Sequence, residues 1–349
     1  MSTRPAGELQ ALTGLRGIAA LTVFIAHARY YEMVPALRPL LVFFEWHGLA
    51  VDLFFMLSGF VLIHVYAAKY EARKGTFWIP YYAARFARIV PLYLATLAAC
   101  LGIFAAGSVV YGKWPAHITW DIVVTNLLLL QNWPGLFRLS LNIPSWSLSV
   151  EMFCYILVMP LALVLDRILK RNWVILALIV LLVAWRTSLA SSDSGWIGLI
   201  RGISGFLVGS LLHKFHAPKG NRAVVFTTIV SSVIFVVLQS LVAWKGFPRI
   251  LPEFTFPFLI QGLAGSVRSV VHHFFRTPLM LWLGDISYST YLWHGPIFLA
   301  THSVIRPRMV AMPLYVRVAW IVFEFAFVLW ISHLSYHRFE LPLRRRLKS

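Results

Sequence analysis

Residues 12–31 read LTGLRGIAALTVFIAHARYY, and this stretch decides the fold class. Between Leu12 and Ala28 its only ionisable residues are Arg16 and His27. The rest has the composition of a membrane span. The eleven residues from Arg16 to His27 make about three helical turns, so both side chains leave one helix on the same face, roughly 16 Å apart along its axis. A basic head near one bilayer surface and an imidazole near mid-membrane are costly in hydrocarbon. Such a pair marks a polar pathway or an active site inside a helical bundle. The segment has no small-residue cleavage site, so we read it as a retained helix and not a signal peptide.

The whole chain follows the same pattern. Of its 349 residues 59% are hydrophobic and only 13% charged, half the charge of a soluble domain, and the mean hydropathy is +0.75. This predicts an all-α polytopic membrane protein. The formal net charge is +18, a value a nucleic-acid binder could share. Here, though, the basic residues sit in short loops between apolar runs, which fits the positive-inside bias better than a nucleic-acid patch. Cys100 and Cys154 lie in apolar segments without metal-ligand spacing and read as core or lipid-facing thiols.

Apolar runs of span length predict about ten helices, near 9–29, 48–68, 85–108, 145–166, 172–190, 196–215, 222–243, 250–270, 279–303 and 313–337. The run Ile118–Leu130 is too short to cross and reads as interfacial or re-entrant. Alternate loops carry Lys69, Arg73 and Lys74, then Arg167, Lys170 and Arg171, then Lys214, Lys219 and Arg222, then Arg268 and Arg276, and finally the tail RRRLK. The other loops carry fewer basic residues, some balanced by Glu32 or Glu45. An even number of spans with both termini cytoplasmic follows. With no repeat or long linker, residues 1–349 are expected to form one membrane domain. Gly198, Gly202, Gly205 and Gly209 recur at the spacing of close helix packing.

Five acidic residues lie within or beside these spans: Asp52, Glu151, Glu253, Asp285 and Glu324. Glu253 and Glu324 have no polar company in sequence and read as structural or interfacial. In IPSWSLSVEMFCY, Ser147, Glu151 and Tyr155 share one stripe at i, i+4, i+8. Glu151 either orients a histidine from another helix or pairs with a structural arginine. Asp52, in HGLAVDLFFMLSGF, is either functional or a helix-start acid facing the dipole, with Ser58-Gly59 permitting close helix approach. Arg85 and Arg88 are one helical step apart in RFARIVPLY. They suit a phosphate-bearing ligand at the cytoplasmic side, and equally a topology signal that snorkels to headgroups. In ISYSTYLWHGP, Ser287, Tyr291 and His294 make a further stripe, just ahead of the helix-perturbing Pro296. His294 reads either as a satisfied core histidine or as a functional one. Glu340, among basic residues, reads as a salt-bridge partner.

Taken in order, GLRGIAALTVFIAH, GLAVDLFFMLSGF, RFARIVPLY, PSWSLSVEMFCY, ISYSTYLWHGP and FELP resemble the acyltransferase 3 family of integral membrane O-acyltransferases. The matching segments run from residue 14 to 342 and cover nearly the whole chain. The family's arginine–histidine signature falls on Arg16 and His27, its RxxR pair on Arg85 and Arg88, its SGF on Ser58, Gly59 and Phe60, and its glutamate on Glu151. Asp285 takes no role from the resemblance.

The resemblance implies transfer of an acyl group, usually acetyl, from cytoplasmic acyl-CoA to a hydroxyl of a carbohydrate, such as a surface-polysaccharide or lipopolysaccharide intermediate. The location implied is the bacterial inner membrane, with the bilayer, the donor and the acceptor as partners and neither metal nor nucleic acid. Under that reading His27 is the catalytic base and Glu151 orients it. Arg16, Arg85 and Arg88 bind acyl-CoA, and Asp52, Ser58, Ser147, Tyr291 and His294 support the site. Hydroxyls near Ser58, Ser147 or Tyr291 would hold the oxyanion. Direct transfer and an acyl-histidine route both remain open, as do the acyl chain length and the oligomeric state. The rival reading is a secondary transporter or flippase, which predicts internal repeats and paired broken helices that the sequence lacks.

Overall fold

A computed structural model describes residues 9–41, 44, 47–188, 195–215, 222–245, 251–265 and 269–346. Glu45, Lys219, Arg268 and Lys348 of the loop-charge reading lie outside the described residues. Among the described residues all regular structure is helical. The principal helices are α1 (Gln10–Ala28), α2 (His47–Arg73), α3 (Trp78–Tyr111), α4 (Trp120–Leu127), α5 (Trp146–Phe153), α6 (Met159–Ile168), α7 (Asn172–Ser188), α8 (Gly195–Leu212), α9 (Arg222–Lys245), α10 (Phe256–Ala264), α11 (Pro278–Val304), α12 (Leu314–Ser335) and α13 (Leu341–Arg346).

Among the described residues six stretches are long and apolar enough to cross a membrane: Gln10–Glu32, Gly48–Arg73, Trp78–Tyr111, Ile143–Ile168, Gly195–Phe215 and Leu314–Leu343. They coincide with six of the expected spans. Three more expected spans fall on α7, α9 and α11. The stretch expected over 250–270 differs: its described part is a 3₁₀ turn at Leu251–Thr255 followed by the nine-residue α10. Nine residues rise roughly 14 Å, about half a hydrocarbon core. The Ile118–Leu130 run contains the eight-residue α4, as its length requires. On α12, Val322, Phe323 and Trp330 turn outward, which is the composition of a face against lipid.

By contact the chain divides into two compact units, Met1–Val23, Val42–Lys74 and Ile156–Ser287 in one, Phe24–Leu41, Gly75–Tyr155 and Tyr288–Ser349 in the other. Within the first unit, α2 and α8 touch backbone to backbone. A Cβ on Gly59 would stand 2.0 Å from the Phe206 carbonyl oxygen, and one on Gly209 would stand 1.9 Å from that of Met56. The glycine spacing read from the sequence therefore marks a real close crossing. The crossing also brings Arg201 to Asp52: Nε donates to Oδ1 at 2.9 Å and Nη2 to Oδ2 at 3.0 Å, while Nη2 also donates to the Gly48 carbonyl at 2.8 Å. Asp52 is thus one half of a buried, two-pronged ion pair and not merely a dipole partner.

Within the second unit, Asn126 anchors the long connection between α4 and α5. Its amide donates to the Ile122 and Leu139 carbonyls (2.9 and 2.8 Å), and its Oδ1 accepts from the Leu141 N–H (3.0 Å). Tyr93 of α3 closes the arrangement by donating to the Asn126 carbonyl at 2.6 Å. These bonds deliver the following residues, Asn142–Ser147, to a defined place.

Candidate active site

Pro296 lies inside α11. It has no N–H, so the Leu292 carbonyl one turn earlier loses its helical donor. Asn142 supplies a replacement: its Nδ2 donates to the Leu292 carbonyl and to Thr96 Oγ1, both at 3.2 Å. A Cβ on Gly295 would come within 1.8 Å of Asn142 Oδ1, so only glycine fits there. The turn of α11 that carries His294 is fixed by this clamp.

His294 is 1% exposed. Its Nδ1 lies 3.0 Å from the Thr290 carbonyl oxygen and its Nε2 lies 3.1 Å from His27 Nδ1. A carbonyl only accepts, so Nδ1 of His294 carries a hydrogen. In the neutral ring Nε2 is then an acceptor, and His27 donates to it from Nδ1. Hydrogen-bond logic thus assigns both tautomers and leaves the lone pair of His27 on Nε2. The two rings stack with centroids 5.2 Å apart. Phe24, stacked on Phe298 at 5.6 Å, walls the pair with apolar surface.

A hydroxyl cluster stands on the same two segments. Ser147 Oγ and Tyr291 Oη are 2.7 Å apart, and each also reaches the Pro144 carbonyl, at 3.2 and 3.0 Å. Two hydroxyl hydrogens serve these three contacts. Acting on an oxyanion, as the sequence suggested for both residues, would require one hydroxyl to leave Pro144.

Glu151 accepts a hydrogen bond from the Tyr155 hydroxyl one turn on. The Arg85 guanidinium is 5.9 Å from the Tyr155 ring centre, and Arg85, Arg88 and Glu151 all interact electrostatically with Tyr155. Tyr155 is therefore the hub of the arginine pair and the glutamate. It begins where the helix widens into a π turn, Cys154–Val158. In that i to i+5 register the donor for the Tyr155 carbonyl would be residue 160, which is Pro160. The Tyr81 hydroxyl donates to it instead, at 3.3 Å.

The structure brings together His27 with His294, Ser147 with Tyr291, and Glu151 with Arg85 and Arg88 around Tyr155. Arg16, Asp52 and Ser58 lie in the first unit, as does the half-buried Asp285. Nδ1 of His27 is met by His294, and the Glu151 carboxylate is met by the Tyr155 hydroxyl. Glu324 is 2% exposed and accepts from Thr301 Oγ1 at 2.7 Å, polar company that its sequence neighbours did not show. Glu340 is buried and accepts from Ser289 Oγ. Asn142 and Arg201 were missed. Pro296 signals that some donor must serve Leu292, without indicating which. Among the described residues no cluster of His, Cys, Asp or Glu is placed to hold a metal.

A family model for the acyltransferase 3 type, described as an acyltransferase domain, matches residues 9–337. The acyltransferase MdmB of Streptomyces mycarofaciens is 40% identical over 161 residues, 44% of this chain and 39% of that protein. The putative peptidoglycan O-acetyltransferase YrhL of Bacillus subtilis is 24% identical over 95% of this chain and 54% of its own length. The peptidoglycan O-acetyltransferase OatA of Listeria monocytogenes is 21% identical over 96% of this chain and 55% of its length. The chain thus spans about two fifths to just over half of these relatives. No solved structure matches it.

Proposed function

The chain belongs to the acyltransferase 3 family, and on that premise we propose that it is a membrane O-acetyltransferase moving acetyl from cytoplasmic acetyl-CoA to a hydroxyl of a carbohydrate acceptor. We place it in the bacterial inner membrane as a single acyltransferase domain of about ten spans with both termini cytoplasmic. The observation that carries the mechanism is the His27–His294 hydrogen bond at 3.1 Å, with the Thr290 carbonyl behind it.

His27 Nε2 takes the proton of the acceptor hydroxyl as its oxygen attacks the thioester carbonyl. His294 Nε2 accepts from His27 Nδ1–H throughout, so the ring is held in the basic tautomer and the imidazolium that forms is stabilised, the part a carboxylate plays in a hydrolytic triad. The tetrahedral intermediate collapses to the acetyl ester, the C–S bond breaks, and the imidazolium returns its proton to the CoA thiolate. Arg85 and Arg88 bind CoA phosphates, and Glu151 with Tyr155 keeps the two guanidinium groups in place. Arg16 provides a further positive charge for the donor. Ser147 or Tyr291 releases Pro144 to donate to the oxyanion.

The test is transfer of labelled acetyl from acetyl-CoA by the purified full chain. Wild type transfers the label, and His27→Ala, shown to be folded by an unchanged melting profile, does not. Full activity in His27→Ala overturns the mechanism.

A further inference from the structure

Four aromatic rings precede Arg85 and Arg88: Phe77 just ahead of α3, then Trp78, Tyr81 and Tyr82 in its first turns. At 3.6 residues per turn Trp78, Tyr82 and Arg85 stand at i, i+4 and i+7, one stripe within about 60° of arc. Arg88 follows one helical step after Arg85. The outward residues of the same turns are Ile79, Ala83 and Phe86, with Ile79 83% exposed and Phe86 44%. An aromatic belt at a membrane surface turns its large rings toward the lipid. Here Trp78 and Tyr82 are half-buried and lie on the arginines' side of the helix.

The rings form a layered shelf. Trp78 and Tyr82 stack with centroids 5.6 Å apart and planes 22° from parallel. Phe77 and Tyr81, 2% and 1% exposed, stack on each other at 5.5 Å. Tyr81 joins the two layers, meeting Trp78 edge to face at 5.9 Å and Tyr82 at 5.2 Å. Its hydroxyl also donates to the carbonyl of Tyr155 at 3.3 Å, the residue around which Arg85, Arg88 and Glu151 gather. The shelf and the arginine pair are therefore one construction, and rings already fixed in place cost little to order when a ligand arrives.

Stacked aromatic rings one helical turn from two guanidinium groups suit a ligand in which a flat heterocycle and phosphates are joined. A lipid headgroup offers the phosphate without the ring. A carbohydrate hydroxyl acceptor offers neither. The acyl-CoA donor carries both, at the end remote from its thioester. We propose that Trp78 and Tyr82 form the adenine subsite of the donor, where the base stacks on this half-buried pair while Arg85 and Arg88 hold the phosphates. Tyr81 is a positioning residue, since it holds both rings in register with the arginines. This deepens the O-acyl-transfer reading above and rests on it.

The experiment uses the full chain in detergent, with calorimetry for binding and labelled acetyl-CoA for transfer. The probes are CoA and phosphopantetheine, which lacks the adenosine end. Trp78→Leu and Tyr82→Leu each weaken CoA binding by about fivefold or more, the worth of one stacked base, and change phosphopantetheine binding by less than about twofold. Trp78→Phe, which keeps a ring, recovers most of the loss, and Phe86→Leu on the exposed side binds CoA as wild type does. On wild type alone, a CoA analogue carrying azidoadenine is photolysed, and the peptide containing Trp78 and Tyr82 takes the label. The subsite is overturned if the label falls elsewhere, if folded leucine variants bind CoA as wild type does, or if phosphopantetheine binding falls equally. Leucine variants that keep CoA binding and lose thermal stability only in anionic phospholipid vesicles make the pair a headgroup anchor, which overturns it too. CoA binding lost in the variants, with no acetyl transfer by wild type, overturns the transfer reading and leaves a nucleotide site.

Discussion

His27 Nδ1 and His294 Nε2 lie 3.1 Å apart although 267 positions separate them in the chain. Because His294 Nδ1 is held by the Thr290 carbonyl, the direction of the bond between the rings is set, and the second lone pair of the dyad lies on His27 Nε2. A histidine that only accepts from its neighbour can be replaced in part by another acceptor. His294→Gln, whose side-chain oxygen can take the His27 hydrogen, is expected to retain more activity than His294→Leu. The leucine variant should lose about 10²- to 10⁴-fold in kcat, the range for misdirected acid–base groups. Acetyl transfer at saturating donor measures this, and equal loss in both variants would remove His294 from the relay.

Arg85 and Arg88 share the surroundings of Tyr155 with Glu151. Replacing both arginines with alanine is expected to raise the KM for acetyl-CoA by about tenfold or more, the worth of one charge-assisted phosphate contact, with a smaller effect on kcat. Initial rates against donor concentration separate the two. Unchanged donor KM would move the CoA phosphates elsewhere.

Gly295 and Asn142 occupy each other's space, with 1.8 Å between Asn142 Oδ1 and an added Cβ. Gly295→Ala should therefore destabilise the protein by about 1–3 kcal/mol through overpacking. Asn142→Ala, which leaves the Leu292 carbonyl without its donor, should cost about the same. The double variant should lose less than the sum. A thermal-melting double-mutant cycle checks this, and strict additivity would show that the two sites are independent.

Asp52 and Arg201 form a two-pronged pair at the close crossing of α2 and α8. Asp52→Ala is expected to cost about 3–5 kcal/mol, because it strands a largely buried guanidinium. Asp52→Ala with Arg201→Met should recover much of that loss. Melting temperatures of the single and double variants decide it.

Membrane class, the helical fold and the close packing of small residues were legible in the sequence because each is a one-dimensional property. Hydropathy reports what a segment dissolves in, and periodicity reports which residues share one face of one helix. Arg16, His27, Arg85, Arg88, Glu151 and His294 all stood out as costly polar groups in apolar runs. Their partners did not, because periodicity says nothing about which helix lies opposite. His27 meets His294 on a turn of α11 that is fixed where Pro296 frees a carbonyl and Asn142 caps it. Asp52 met Arg201 because glycines at 59 and 209 let two backbones touch. Glu324 looked solitary in sequence, yet folding surrounds it with Thr301, Tyr30 and Arg306. Sequence by itself determined that polar groups would be buried in a membrane bundle. Tertiary structure alone decided which of them face each other, since a hydrogen bond depends on position and direction in space and not on separation along the chain.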